Sequence, residues 1–209
     1  MIRHLLIKSQ KGQPLAIRER LELNLDGIIG NIPCLPLRQV LIIPSLTLDK
    51  FSLDLGDLRE NIVVDFDQLH DLPSGQVIQV GSATIQLTFH CEPCRVIAPK
   101  VNIKSIQHQR GYLAKILKEG VVNVGDSFII MTEVGEKIPY DLKERLAWYL
   151  TKQDKSVTTD ILLRDIGLSQ TYARALPSLL RHIPGFLSDK VIFKTKDMSQ
   201  SKTLALDFE

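Results

Sequence analysis

The chain has 209 residues, 44% of them hydrophobic and 24% charged, with a formal net charge of +2. This ordinary globular balance can supply a core, built on Leu, Ile and Val because aromatic residues are only 6%, and the charge makes no case for nucleic acid by itself. The three cysteines are an odd count, too few for a disulfide framework, and no apolar run approaches the roughly 18 residues of a membrane span, so a cytoplasmic protein without a membrane partner is expected.

Met1 to Gln10 has a short apolar patch interrupted by Lys8 and no small-residue cleavage site, so it reads as a strand and not as a signal peptide. Strands are predicted at His4–Ser9 and Ile17–Leu25, where Leu21, Leu23 and Leu25 alternate with Glu22 and Asn24. Pro33 and Pro36 make Gly30–Pro36 a loop. A buried strand is predicted at Arg38–Ile43, then a short helix at Ser45–Phe51 with Ser45 as its cap and Asp49 in its first turn. Gly56–Asn61 is a polar loop running into a strand at Ile62–Val64. Past the Pro73–Gly75 turn, strands at Val77–Val80 and Ala83–Phe89 are joined by Gly81 and Ser82. Gly111–Leu117 fits helix or strand, Gly120–Asp126 reads as a turn-rich link, and Ser127–Met131 is a last strand. Short, frequent strands with turn signals between them favour a β-barrel or a sandwich; a doubly wound sheet would need long helices that this part lacks.

The composition changes near Gly135. Helices are predicted at Asp141–Tyr149 and Thr159–Ile166, and a third, capped by Ser169, at Gln170–Arg181 with a kink or break at Pro177. Val191–Lys194 and Thr203–Leu206 read as two strands around the polar tip Lys196–Lys202. Three helices and a hairpin outline a winged helix. The chain therefore divides into a β domain, residues 1–135, and a small helical winged-helix-like domain, residues 136–209.

The most informative stretch is Phe89–Arg95, which holds Cys91 and Cys94. Ile85, Leu87 and Phe89 share a strand face, and Pro93 then blocks the strand and suits the first turn of a helix. Cys94 is thus expected at a strand-to-helix junction. Unpaired N–H groups and the helix dipole favour a thiolate there, which is both a nucleophile and a soft-metal ligand. A buried structural cysteine is the plainer alternative. Cys91 and Cys94 form a C-x-x-C pair that suits redox chemistry or half of a zinc site, with His90, His108 and Cys34 as further ligand candidates at no diagnostic spacing. Cys91 is otherwise a packing residue, or a resolving thiol for a persulfide on Cys94.

Several stretches, taken in order, resemble the MOSC domain, the module at the C-terminus of molybdenum-cofactor sulfurases. Gly27-Ile28-Ile29-Gly30 followed by Arg38-Gln39-Val40 is similar to that family's first glycine loop and Arg-Gln-Val strand. Gly56 to Ile62 resembles its Leu-Arg-Glu-Asn-Ile loop, Glu92-Pro93-Cys94 its diagnostic cysteine, and Arg110-Gly111 with Gly125-Asp126 its closing segment. The glycine loop departs from the family pattern at Asn31–Cys34, and Cys91 lies outside that pattern.

The resemblance implies a mainly β fold with few helices, a MOSC-like β-barrel. It further implies molybdenum-cofactor binding or sulfur carrying through Cys94, as a persulfide or as a direct molybdenum ligand. Arg38, Arg59, Asn61 and Arg110 are then expected to hold the pterin and its phosphate, because a guanidinium binds phosphate oxygens and stacks on flat rings and an amide reads ring edges. Surface charge or internal salt bridges, such as Arg59 with Asp57 or Glu60, are the plainer role. Lys100 and Lys104 add positive potential or form a solvated face. No pyridoxal-phosphate domain is visible, so a separate sulfur-donor protein is the expected partner.

Ile138-Pro139-Tyr140, Gly167-Leu168-Ser169 and Ala173-Arg174-Ala175-Leu176 resemble the helical DNA-binding part of alkylguanine-DNA alkyltransferases. The reactive Pro-Cys-His-Arg motif of that family is absent and no cysteine lies beyond Cys94, which excludes alkyl transfer by this segment. The alternative function is non-catalytic: DNA binding through residues 169–181, where Thr171, Tyr172 and Arg174 open a recognition helix and Arg181 ends it, with the barrel as sensor or scaffold.

Overall fold

Alternating apolar side chains and frequent turn residues resolve the N-terminal part of the chain into strands in the computed structural model, which describes residues 1–193. The strands are β1 (Ile2–Ile7), β2 (Ala16–Arg18), β3 (Arg20–Asn24), β4 (Gly27–Ile28), β5 (Val40–Pro44), β6 (Ile62–Val64), β7 (Gln76–Val80), β8 (Ala83–His90), β9 (Tyr112–Lys118), β10 (Gly120–Asn123) and β11 (Phe128–Val134). One helix, α1 (Ser45–Phe51), lies among them. These elements form a compact unit, Met1–Ile138, and the described residues from Pro139 onward form a second.

Eight strands make one mixed sheet in the order β11-β7-β8-β9-β5-β6-β1-β2, and β10-β3-β4 make a smaller one. Within these two sheets β5 and β6 pair in parallel and the other pairs are antiparallel. The β-barrel implied by the family resemblance does not close. The ladder ends at β11 and β2, which are not neighbours. Chain continuity bridges the gap: β2 passes into β3 through Glu19, and β10 passes into β11 through a turn that bonds to β1, Ile2 N–H to Asp126 O at 2.8 Å and Gly125 N–H to Ile2 O at 2.9 Å.

Both sheets bury side chains in one core. Leu5, Val40, Ile42, Ile62, Ile78, Ile85 and Ala114 come from the large sheet, and Leu21, Leu23, Ile28 and Val122 from the small one. The intervening residues of the central strands, Leu41, Ile43, Val63 and Leu113, are buried too. Strands buried on both faces read as continuous apolar runs, which is why Val40–Ile43 carries no polar residue. Leu48 of α1 and Leu53, Leu58, Ile97 and Ile106 of the connecting loops are also buried.

Several boundaries differ from the sequence reading. The single strand expected at Ile17–Leu25 breaks at Glu19, where the chain leaves one sheet for the other. Gly120–Asp126 begins as β10, paired with β3 from Gly120↔Leu23 to Asn123↔Arg20; its glycines suggest a turn, but Gly120 is needed because a Cβ would come within 2.6 Å of the Ala83 backbone. Helix α1 spans the predicted residues, yet Pro44 holds the cap position without a side-chain bond and the first turn carries no acid. Gly111–Leu117 resolves as β9.

In the second unit, α2 (Leu142–Thr151) is capped by Asp141, whose carboxylate accepts from Lys143 N and Glu144 N. Helix α3 (Thr159–Asp165) follows β12 (Val157–Thr158), and Leu146, Leu150, Leu162, Leu163, Ile166 and Leu176 pack together. The expected third helix is not continuous: Gln170–Arg174 is a 3-10 turn, and α4 (Leu176–Leu180) begins after Ala175, with Pro177 in its first turn where the missing N–H costs nothing. A short α5 (Gly185–Ser188) precedes β13 (Val191–Ile192), which pairs in parallel with β12 and not in a hairpin. The second expected strand, Thr203–Leu206, and the tip Lys196–Lys202 lie outside the described residues, so the wing and the winged helix are not confirmed. No helix among the described residues is long and apolar enough to cross a membrane.

Gly111 enters β9 at φ +126°, and an added Cβ would lie 2.6 Å from both Ile42 O and Ile43 Cγ2. Gly111→Ala is expected to destabilise the fold by about 2 kcal/mol or more, read as a lowered urea midpoint. Gly125→Ala, at φ +89° with open space around it, should cost less than Gly111→Ala.

Candidate functional site

The loops that cover β5 and β6 converge on Arg110. This side chain is 5% exposed. Its Nη1 donates to Glu92 O and, at 3.4 Å, to Cys94 Sγ, while Nη2 donates to Leu58 O at 3.4 Å. Among the described residues no carboxylate is a hydrogen-bond partner of Arg110, and its Nε has none. Gly111 follows directly, and its carbonyl accepts from Cys91 N–H at 2.9 Å, so the two ends of the 91–111 loop are tied where β8 stops and β9 starts.

Cys94 is half-buried in a segment that is neither helix nor strand. The helix expected after Pro93 does not form. Ile97 N–H closes a turn on Cys94 O at 3.1 Å, and further turns run through residues 95–100, because Pro99 offers no N–H to a continuing ladder. What lies against Cys94 is a guanidinium and not a helix terminus.

Arg38 joins this group through Glu92. Its Nη2 donates to Glu92 Oε2 at 2.6 Å, and its guanidinium carbon lies 5.2 Å from the centre of the Phe89 ring. Glu92 thus binds one arginine with its carboxylate and the other with its carbonyl. The expected strand at Arg38–Ile43 begins only at Val40, since Arg38 N–H closes a turn on Leu35 O at 2.8 Å.

Arg59 and Asn61 go elsewhere. Arg59 is exposed, at φ +64° in the loop before β6. Asn61 is buried, and its amide is spent on backbone: Oδ1 accepts from Leu41 N–H at 3.1 Å and Nδ2 donates to Leu6 O at 3.3 Å. It fastens β1 and β5 at the start of β6. Between them Glu60 is fully buried; burial pushes its carboxyl pKa up, although Oε1 accepts from Gly56 N–H at 2.6 Å. The 54–60 and 91–111 loops are joined by Lys100 Nζ to Asp57 Oδ1 at 3.1 Å, so Lys100 serves an ion pair, as well as by Arg110 to Leu58.

Sequence reasoning named His90 and His108 only as ligand candidates for a cysteine pair and missed the group they form with His70 and Tyr112. The ring of His90 lies 6.0 Å from that of His70, 5.7 Å from that of His108 and 4.5 Å from that of Tyr112. Burial holds the His70 pKa down to about 4 and lowers that of His90, and it pushes Tyr112 up to about 12. A 3-10 turn (His70), two strands (His90 of β8 and Tyr112 of β9) and a loop (His108) supply these residues, so no local spacing marks them. They are not a metal site: among the described residues no group of three or more His, Cys, Asp or Glu is arranged to hold a metal ion. Cys34 lies apart from them, within reach of Asn31 Nδ2 at 3.5 Å, and burial raises its pKa.

The segment expected to bind DNA, residues 169–181, exposes Thr171, Tyr172, Arg174 and Arg181 but presents two short helical pieces in place of one recognition helix.

Two measurements probe this arrangement. Asn61→Ala strands the buried Leu41 N–H and should cost about 2 kcal/mol in unfolding free energy. His70 ordinarily titrates at 6.5 and here at about 4, so the unfolded chain takes up its proton first as pH falls. Stability present above pH 6.5 should therefore be lost progressively down to about pH 4, and His70→Gln should flatten that part of the profile of unfolding midpoint against pH.

The fold resembles solved structures at low identity. The YUAD protein from Bacillus subtilis aligns with a TM-score of 0.53 at 18% identity, covering 61% of this chain and 92% of that one. YiiM from Escherichia coli gives 0.52 at 16% identity over 88% of this chain and 96% of its own. YiiM from Geobacillus stearothermophilus gives 0.51 at 13% over 86% and 99%. The YiiM alignments cover a larger share than the first unit, Met1–Ile138, contains, whereas the likeness of the C-terminal segment to alkylguanine-DNA alkyltransferases is not shown. No curated protein matches the chain. Residues 36–128 match the family model of the MOSC domain, and that segment contains Arg38, Arg59, Asn61, Cys94 and Arg110.

Proposed function

We propose that this protein carries sulfur on Cys94, as a persulfide whose negative charge is held by Arg110. The observation that carries this reading is the partner set of Arg110. A buried guanidinium requires compensation. Here its hydrogen-bond partners are two carbonyls and a thiol. Of these only Cys94 can become an anion, so the site is matched to a thiolate or a persulfide.

The step is a sulfur transfer. Cys94 thiolate attacks the outer sulfur of a donor persulfide, forming a bond from Cys94 Sγ to that sulfur. The S–S bond of the donor breaks, and the donor thiol leaves with the electron pair. A sulfur-donor protein is the partner this chemistry asks for, in keeping with the association of the MOSC domain with molybdenum-cofactor-related proteins.

The residues fit a molybdenum pterin less well. Arg38 is engaged by Glu92, Arg110 is buried under its own loop, and the amide of Asn61 is used by backbone. Of the expected cradle, only Arg59 is exposed.

The test is loading of the purified full chain with an inorganic polysulfide, followed by intact mass and sulfane-sulfur assay. Wild type should gain sulfane sulfur that a reductant removes. Cys94→Ala should lose that uptake, and Arg110→Met should retain the added sulfur for a shorter time. Uptake that is unchanged in Cys94→Ala would sink the proposal.

A further inference from the structure

We infer that Cys91 is the resolving thiol of this site, discharging the sulfur held on Cys94 as hydrogen sulfide and closing a Cys91–Cys94 disulfide. The inference rests on the sulfur-carrier reading of Cys94 and adds to it the fate of sulfur that no acceptor collects.

Three observations converge. The two cysteines flank Glu92 and Pro93 in a stretch free of helix and strand, in which the Cys91 N–H is fixed on Gly111 O while Cys94 begins the turn that follows. Both sulfurs touch groups that share one guanidinium. Cys91 Sγ donates to Glu92 O at 4.0 Å, that carbonyl accepts from Arg110 Nη1, and the same Nη1 reaches Cys94 Sγ at 3.4 Å. Finally, the two thiols differ in access: Cys91 is 4% exposed and Cys94 is half-buried. A bulky donor persulfide can therefore reach Cys94 and not Cys91, whereas Cys91 can react only with what its neighbour brings in.

Burial raises the Cys91 pKa, with the positive charges of Arg110 and Arg38 acting in the opposite sense. A buried protonated thiol is a slow nucleophile. That suits a resolving group, since an acceptor protein has time to take the sulfur first.

The step balances without an added oxidant. Cys91 Sγ attacks Cys94 Sγ, the inner sulfur of the persulfide. The bond between the cysteines forms while the bond from Cys94 Sγ to the outer sulfur breaks. The outer sulfur leaves with the electron pair and takes the Cys91 proton, departing as hydrogen sulfide. It is reduced from sulfane to sulfide, and the two cysteines are together oxidised to the disulfide. A dithiol reductant reopens the pair.

The experiment uses the full chain, reduced, desalted, loaded with an inorganic polysulfide and freed of excess. Sulfide release is followed with time, and disulfides are mapped by peptide mass after alkylation. Wild type should release sulfide as a peptide pair joining Cys91 to Cys94 appears. Cys91→Ser should lose that pair and keep its sulfur on Cys94; Cys91→Ala provides the same reading should a hydroxyl in this buried position impair folding. Cys34→Ser should behave as wild type. Loading of Cys94 with sulfide release at the same rate in both Cys91 variants, and no Cys91–Cys94 pair in wild type, would overturn this inference and leave the carrier reading standing. Failure of wild type to load Cys94 at all would overturn both.

Discussion

The burial of Arg110 is the constraint on which the site depends. A guanidinium withdrawn from water loses several kcal/mol of hydration unless it is returned as hydrogen bonds and opposing charge. Here it is returned by Leu58 O, Glu92 O and Cys94 Sγ, each from a covering loop. Those loops have little secondary structure of their own, and the bonds to Arg110 set where Cys94 sits. Gly111 makes the arrangement reachable. Its left-handed backbone and missing Cβ let the chain pass close over Ile42 and Ile43 at the point where β9 begins.

Glu92 links this centre to its rim. Its carbonyl bonds Arg110 and its carboxylate bonds Arg38, which also lies over Phe89. One residue therefore bonds two cations, and its carboxylate neutralises part of the positive charge that would otherwise draw a phosphate. On the other side of β8, His90 packs among His70, His108 and Tyr112. Their burial favours the neutral imidazoles of His70 and His90. His108 lies in the same loop as Arg110, so the histidine group and the Cys94–Arg110 group share one segment of backbone.

Much of the framework is legible in the sequence. Ile85 and Leu87 alternate with polar residues and do face the core, and Val40–Ile43 reads as a buried strand and is one. The misreadings have physical causes. Gly120 looks like a turn residue, but it permits close strand packing. Pro93 looks like a helix start, but Pro99 removes a donor before a helix can propagate. The strand count suggests a barrel or a sandwich and the family resemblance a barrel, yet closure requires a ladder between β11 and β2, and the small sheet lies between them in chain continuity.

By itself, the sequence determined the mainly β character of residues 1–135, the helical character that follows, and the order of Arg38, Arg59, Asn61, Cys94 and Arg110 along the chain. These follow from side-chain period and residue type, which are local properties. Only the tertiary structure decided how those residues divide. Arg38 meets a carboxylate 54 residues away, and Arg110 a carbonyl 52 residues away, while Asn61 is drawn into the sheet by Leu6, 55 residues before it. Such bonds form because core packing closes the loops and leaves buried polar groups to find partners, and no spacing in the sequence encodes which partner will be nearest.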